Sequence, residues 1–369
     1  MPMKKPPLPS ILILALPLLA ATASLLWWLL RPVPPIQVGL ITWMASGAVV
    51  GSSEMNAGDL FLEEHPDTRI QLVPVDDEWK PERTPRVIAD AMARGVRFFV
   101  STHPSHCAVA SLPLFADGRA LVINTASTSP ALTGKDDFLL RITPDAEQEQ
   151  RAIAREVAGW PGRRLLVLQD SGNLAYTDPA FAAFSAALAT SGHWQVVQRK
   201  LTISAFQPED ERALMIEPYD ALYVLAGGYQ TAIGNLAQLF HALHPEAPIL
   251  LTPWARSPAI LDTLGEAIGR VVLPSQHPSR HADPAIDDYF RRFRTRFGYE
   301  PHAMTIEVRQ ALELLDRAFQ QGHDTPEAVK RDLLAVPTHQ TSLGPIAFDR
   351  AGDVTGDFHF LRDLDRELQ

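Results

Sequence analysis

Residues 121–134 read LVINTASTSPALTG. An apolar run of the kind that forms a buried strand gives way at Asn124 to Thr125, Ser127, Thr128 and Ser129, and Pro130 blocks an early return to regular structure. A turn needs one or two such residues. Several hydroxyls directly after a strand suit a place where something is hydrogen-bonded. One strand earlier the pattern is similar. VRFFV at 96–100 runs into STHPSHCAV, where Ser105 starts a helix.

Working outward, strands and helices alternate. IQVGLIT (36–42) reads as a first buried strand, VVGSSEMNAGDLFLEEH (49–65) as a helix and RIQLVPVDD (69–77) as a strand. PERTPRVIADAMARG (81–95) has apolar residues at helical spacing and stops at Gly95. Beyond Gly134 the series begins again. A helix at 145–160 (DAEQEQRAIAREVAGW) is placed to cross to a second lobe. Strands follow at RRLLVLQD, WQVVQRKL, ALYVLAGG, APILLT and GRVVLPS, with helices between them. Two successive helices cover 284–298 and 304–322, and the end, GPIAFDRAGDVTGDFHFLRD (344–363), reads as a hairpin around Arg350–Asp353. Such alternation predicts α/β halves with parallel sheets covered by helices on both faces. No short-period repeat is present.

At 369 residues, 46% hydrophobic and 21% charged, the chain suits two lobes with substantial cores. Lys4, Lys5 and Arg31 precede residue 37, where there is no acid. The remainder therefore carries 30 basic against 43 acidic residues, a net −13. That charge disfavours nucleic acid and anionic lipid as partners. Cys107 is the single cysteine, which excludes an intrachain disulfide. The basic start MPMKKPPLP precedes 21 uncharged residues, 10–30, whose length as a helix matches the ~30 Å of a bilayer core. Two readings compete, an uncleaved signal anchor and a signal peptide cut near Ala21-Thr22-Ala23. The apolar run continues to Leu30 with Trp27 and Trp28 at its end, so the anchor is favoured, with RPVPP (31–35) as a stiff spacer. Either way the rest is exported, to the periplasmic side of the membrane.

The element order, with INTASTSPALTG, DAEQEQ, FGYEPHAMTIEVRQALELLDRAF and GPIAFDRAGDVTGDFHF, resembles the type I periplasmic binding proteins, specifically the leucine/isoleucine/valine-binding group that serves ABC transporters. The resemblance spans about residues 37–361. It implies two doubly wound α/β lobes joined by a hinge, closing on a small ligand. Lobe one would be 37–145 with 277–350, and lobe two 146–276 with 351–369. On the family's pattern Ser105 and Thr128 fall on hydroxyl positions that fix an α-carboxylate, Ser127 on a neighbouring backbone contact, and Tyr176 and Tyr229 on aromatic positions of the cleft. The chain departs from the pattern at LLTPWARS (250–257). Where amino-acid binders tend to place an acid for the ligand's ammonium, this chain has Trp254. The loop TWMASGAVVGS (42–52) is also shorter than usual and carries Trp43.

Read from the residues alone, the two strand ends suit a carboxylate, because a helix start offers free N–H groups beside hydroxyls. The bland alternative makes Ser105 only an N-cap and the Thr/Ser run only a loop; Trp43 and Trp254 would then fill the contact between lobes. His103, His106 and Cys107 match no closed zinc set, Cys107 reading as a small buried residue and the histidines as edging the cleft. Glu307 is expected on an exposed helix face. Gly-x-Ser-x-Gly, phosphate-loop, Gly-x-Gly-x-x-Gly and His-Glu-x-x-His motifs are absent. The expected function is an extracytoplasmic solute-binding protein without enzymatic activity or cofactor. It would close on an amino acid, amide or related carboxylate and present it to an ABC transporter permease. The alternatives are a membrane-anchored sensor with a signalling partner and an exported α/β hydrolytic enzyme.

Overall fold

A computed structural model describes residues 34–44, 49–228 and 230–367. The segment read as a signal anchor lies outside them, as does Tyr229. Among the described residues no helix is long and apolar enough to cross a membrane.

The first half supplies β1 (Ile36–Thr42), β2 (Ile70–Asp76), β3 (Phe98–Ser101), β4 (Leu121–Asn124) and β5 (Leu139–Arg141). They form one sheet in the order β2-β1-β3-β4-β5, with the β1–β3, β3–β4 and β4–β5 pairings parallel. The second half supplies β6 (Arg164–Asp170), β7 (Gln195–Leu201), β8 (Ala221–Leu225), β9 (Ile249–Leu250) and β10 (Val271–Ser275). β11 (His339–Thr341) and β12 (Gly344–Ile346) pair with each other, and β13 (His359–Leu361) adds an antiparallel edge to the second sheet. That sheet runs β13-β10-β9-β8-β6-β7, which repeats the winding of the first with one strand added. In this order the topological switch point falls between the first and third strands of each half, so ligand space is expected beyond the carboxyl ends there.

Covered faces explain the apolar strand sequences. Along β6 and β8, Leu166, Leu168, Leu222 and Val224 enter one core with Phe240, whereas Leu165, Val167, Tyr223 and Leu225 enter the opposite core with Phe184 and Ile153. Both phases of the period-2 pattern are therefore apolar, as parallel sheets require. In the first sheet Ile41, Val75, Phe99 and Val122 pack with Ile88 and Met92 of the helix Thr84–Ala93. On the other face Phe98 meets Phe319 edge-on at 4.8 Å. Phe319 belongs to the helix Thr305–Gln320, which follows β10 in sequence yet returns to the first sheet. There Arg309 joins Glu64 at 2.5 Å, Glu64 ending the helix Val49–Glu64.

Residues 142–145, 276–283 and 347–358 pass between the two sheets. Arg141 binds Asp353 at 2.6 Å in a buried ion pair, and the Arg141 N–H donates to the Gly352 carbonyl at 2.8 Å. Gln148 Nε2 donates to the Val354 carbonyl at 3.2 Å. The hairpin expected around Arg350–Asp353 is reduced to one antiparallel bridge, Phe348 with Val354. Its arms have other partners, since β12 folds back on β11 and β13 completes the second sheet. The turn itself is tight. Gly352 has φ 89°, and a Cβ there would meet Leu140 Cδ2 at 2.3 Å.

Candidate ligand-binding cleft

The carboxyl ends of the two sheets face each other across a small, narrow cavity. Thr102, Pro104, Ser105 and Ala126 line it from the ends of β3 and β4. Asn173, Tyr176, Gly227, Gly228 and Trp254 line it from the ends of β6, β8 and β9, and Trp79 and Met304 complete it.

On the first wall most hydroxyls have structural partners. Asn124 Oδ1 accepts the N–H groups of Ala126 and Ser127 at 3.1 and 2.9 Å, and its Nδ2 donates to the Ser127 carbonyl at 2.8 Å. Thr125 Oγ1 donates to the Ser101 carbonyl at 3.0 Å, and Ser127 Oγ to the His103 carbonyl at 2.7 Å. Ser105 is no N-cap. Pro104 occupies that position, and Ser105 Oγ accepts the N–H groups of Thr128 and Ser129 at 3.2 Å each. With both lone pairs engaged, the Ser105 proton is left to donate to a further acceptor. Thr128 Oγ1 is buried without a hydrogen-bond partner among the described residues, and neither Thr128 nor Ser127 is among the residues lining the cavity.

Trp79 reaches the cavity through an unusual backbone. Glu78 and Trp79 both have left-handed φ, 53° and 52°, which is rare outside glycine. Asp76 Oδ1 and Asp77 Oδ1 hold the pair by accepting the N–H groups of Glu78 and Trp79 at 3.1 and 3.0 Å. Asp77 also takes a hydrogen bond from His103 Nδ1 at 2.8 Å, so His103 is fully buried rather than at the cleft edge. Burial raises the Asp77 pKa, but His103 together with the hydrogen bonds from the Trp79 N–H and Thr84 outweighs it, and the net shift is downward. Trp43 is 37% exposed and packs on Trp79, with ring centroids 5.6 Å apart, outside the cavity lining. His106 joins the halves. Its Nε2 lies 3.1 Å from the Trp79 carbonyl and its Nδ1 3.1 Å from Asn173 Oδ1.

The second wall is aromatic. Tyr176 meets Trp254 edge-on, with centroids 6.1 Å apart, and donates its hydroxyl to Glu149 Oε1 at 2.5 Å. Gln150 Nε2 donates to the same oxygen at 2.7 Å. Glu149 is fully buried, and desolvation moves its pKa up to about 7 against those two hydrogen bonds. Gly227 permits a close approach within this wall: a Cβ there would sit 2.7 Å from Tyr176 Cδ1. A second buried acid lies behind the first wall. Glu54 Oε2 is hydrogen-bonded to the hydroxyls of Thr42 and Thr102 at the ends of β1 and β3. Desolvation carries its pKa to about 8, partly offset by the two threonines. His302 Nε2 is 3.9 Å from Glu54 Oε1, and burial lowers the His302 pKa to about 4.

Of the residues singled out from sequence, Ser105, Tyr176 and Trp254 thus come together around the cavity. Thr102, Trp79, Asn173 and the carboxyls of Glu54 and Glu149 were missed. Glu307 is not exposed; it is buried and lies 3.0 Å from His277. Among the described residues no group of three His, Cys, Asp or Glu is placed to hold a metal ion. Cys107 is buried and its thiol is pushed up to about 12, which makes it unreactive.

A family model described as periplasmic binding protein matches residues 35–362. Among curated proteins none matches the chain. Solved structures of similar fold include a solute-binding protein of an ABC transporter from Rhodopseudomonas palustris, in complex with 3,4-dihydroxybenzoic acid. It is 19% identical, with TM-score 0.77, over 89% of this chain and 93% of that one. A leucine-binding protein from Thermotoga maritima is 19% identical, with TM-score 0.76, over 89% and 99%. A branched-chain amino acid transporter substrate-binding protein from Streptococcus pneumoniae, in complex with isoleucine, is 14% identical, with TM-score 0.75, over 89% and 95%.

Proposed function

The chain belongs to the periplasmic binding protein family, and from that premise we propose that it is an extracytoplasmic solute receptor of an ABC transporter. Its two lobes, 37–145 with 277–350 and 146–276 with 351–369, close on a small ligand carrying an acidic or amide group. The closed form is then presented to the permease. The observation that carries this reading is the cavity itself, walled by strand ends of both sheets and bridged by His106 and Asn173. A ligand touching both walls favours closure because it gains both sets of contacts only in that state. Ser105, Tyr176 and Trp254 make the contacts. Residues 10–30 hold the protein at the periplasmic face of the membrane, and the protein carries out no chemistry of its own.

Mass spectrometry of small molecules retained by the purified exported part, with X-ray scattering before and after ligand is added back, tests the reading. A retained small molecule and a compaction at saturation are expected. A protein that retains nothing, responds to no solute and keeps its dimensions would overturn it.

A further inference from the structure

Arg256 uses every polar group it has, and the partners lie in different parts of the fold. Its N–H donates to the Pro253 carbonyl at 3.1 Å and so closes the single turn Pro253–Ala255, of which Trp254 is the middle residue. Its carbonyl accepts the Ala303 N–H at 3.1 Å, and the next residue, Met304, lines the cavity. Its guanidinium is buried. Nε and Nη2 donate to Glu367 Oε2 at 3.2 and 2.7 Å, and Nη2 also donates to the Pro278 carbonyl at 3.0 Å. Nη1 donates to Ser275 Oγ at 2.8 Å and to the His277 carbonyl at 3.2 Å. All the N–H donors of an arginine side chain are thereby engaged.

Residues 275–279, the end of β10 and the start of the passage 276–283, are wrapped around this one side chain. Ser275 Oγ also accepts the His277 N–H at 3.2 Å, Ser279 Oγ donates to Glu367 Oε1, and His281 Nε2 donates to the Arg366 carbonyl. Glu367 ends the short helix Leu364–Glu367, which the apolar core already seats through Leu364, buried in one cluster with Leu261 and Leu361. The ion pair is therefore not needed to dock that helix. A buried pair adds little stability over apolar residues of the same volume, whereas its directional bonds single out one arrangement of the chain around it.

The first wall has a looser counterpart. Arg141 joins the Ser129 carbonyl and Thr133 to Asp353 in the passage 347–358, but its Nε has no hydrogen-bond partner among the described residues. On the second wall the same kind of tie is saturated, and it leads directly to the turn that presents Trp254.

Resting on the reading of the cleft as one that closes, we propose that Arg256 is the positioning residue that couples the hinge to the second wall. Held by Glu367, it makes 252–257 and 275–279 one rigid piece. Bending in this passage then falls beyond Ser279, and every closure sets Trp254 in the same place. Arg256 does not line the cavity itself and acts through Trp254.

Fluorine NMR of the full-length protein labelled with fluorotryptophan, combined with hydrogen exchange read by mass spectrometry, tests this without any ligand. Arg256→Lys keeps a charge opposite Glu367 and gives up the planar fork. The Trp254 resonance, assigned by its loss in Trp254→Phe, is expected to broaden or split in Arg256→Lys while the Trp79 resonance stays as in the parent. Amides of 254–257 and 275–279 should exchange on the order of tenfold faster, and together, while those of 124–134 keep the parent rate. Glu367→Gln should disturb Trp254 in the parent and add nothing in Arg256→Lys, because both substitutions act through one side chain. A lowered unfolding midpoint with Trp254 and both segments unchanged would make the pair a structural brace and overturn the coupling. Equal changes at Trp79 and 124–134, or additive effects of the two substitutions, would also overturn it. If Arg256→Lys does not fold, Glu367→Gln alone must disturb Trp254 and speed exchange at 275–279, and its silence overturns the proposal. None of these readouts depends on what the cleft binds, so their failure leaves the solute-receptor reading to be decided by its own experiment.

Discussion

The two walls of the cleft are built with opposite chemistry. The loop after β4 is dense in hydroxyls, yet Asn124, Thr125 and Ser127 bond to backbone within the same wall, and Ser105 alone lines the cavity with its proton free. After β6, β8 and β9 the second wall is sparse in polar groups and lined by Tyr176, Trp254 and bare backbone at Gly227 and Gly228. The first wall is rigid because its polar groups satisfy one another. The second presents ring area instead. A count of hydroxyls therefore measures how well a loop is held, and says little about what it touches.

Breaking the support of the first wall should have the largest effect. Arg141 donates to the Ser129 carbonyl at 3.2 Å, to Thr133 Oγ1 at 2.8 Å and to Asp353 at 2.6 Å, with both members of the ion pair buried. Arg141→Met leaves the Asp353 carboxylate without its charge partner, which costs about 3–5 kcal/mol. Urea unfolding measures this. A loss under about 1 kcal/mol would mean that the loop is held by its own hydrogen bonds and that the passage through Asp353 is dispensable.

The buried acids give the next effect. The Glu54 pKa is raised from 4.5 to about 8 in the folded chain, so between these values the native state binds a proton that the unfolded state has released. The favourable contribution is complete below pH 4.5, is lost as pH rises toward 8, and is absent above it. Glu149, raised to about 7, adds to the same slope over its lower part. Unfolding followed from pH 5 to 8.5 should show a decline of roughly 2–4 kcal/mol in the parent and a shallower one in Glu54→Gln. Equal slopes in the two proteins would show that Glu54 does not carry the protonation.

Ligand affinity compares the walls directly. Trp254→Ala removes a half-buried ring from the second wall and should weaken binding about ten- to a hundredfold by calorimetry while leaving the fold in place. Ser105→Ala should lower both affinity and stability, because two N–H groups lose their acceptor at roughly 1–3 kcal/mol. If Trp254→Ala binds as the parent does, the ring only fills space between the lobes.

How far these walls were legible in the sequence follows from the range of the interactions involved. Alternating apolar runs and helix punctuation are local, so β1 to β10 and the cleft at their carboxyl ends follow from the pattern. The hairpin around Arg350–Asp353 keeps only the Phe348–Val354 bridge because its arms are engaged elsewhere, β12 with β11 across a tight turn and β13 with β10 of the second sheet. Glu307 on its helix gives no sign of His277 thirty positions earlier. Trp79 escaped notice because left-handed φ at two successive non-glycine residues has no sequence signature. Glu54 sits in SSEMNAGD, a stretch that reads as a solvated turn of helix until Thr42 and Thr102 are brought to it from two strands.

The smallest effect separates the two hydroxyls on which the family resemblance places the ligand. Thr128 Oγ1 is fully buried, has no hydrogen-bond partner among the described residues and does not line the cavity, whereas its backbone N–H is fixed by Ser105 Oγ. A buried hydroxyl without a partner carries its desolvation cost uncompensated. Thr128→Val keeps the shape and removes that cost while leaving the N–H donor in place. The variant should therefore be as stable as the parent or gain up to about 1 kcal/mol, with ligand affinity unchanged. Paired calorimetry and urea unfolding decide it. A tenfold or greater loss of affinity without loss of stability would mean that the Thr128 hydroxyl itself reaches the ligand, and the first wall would then grip through two side chains instead of one.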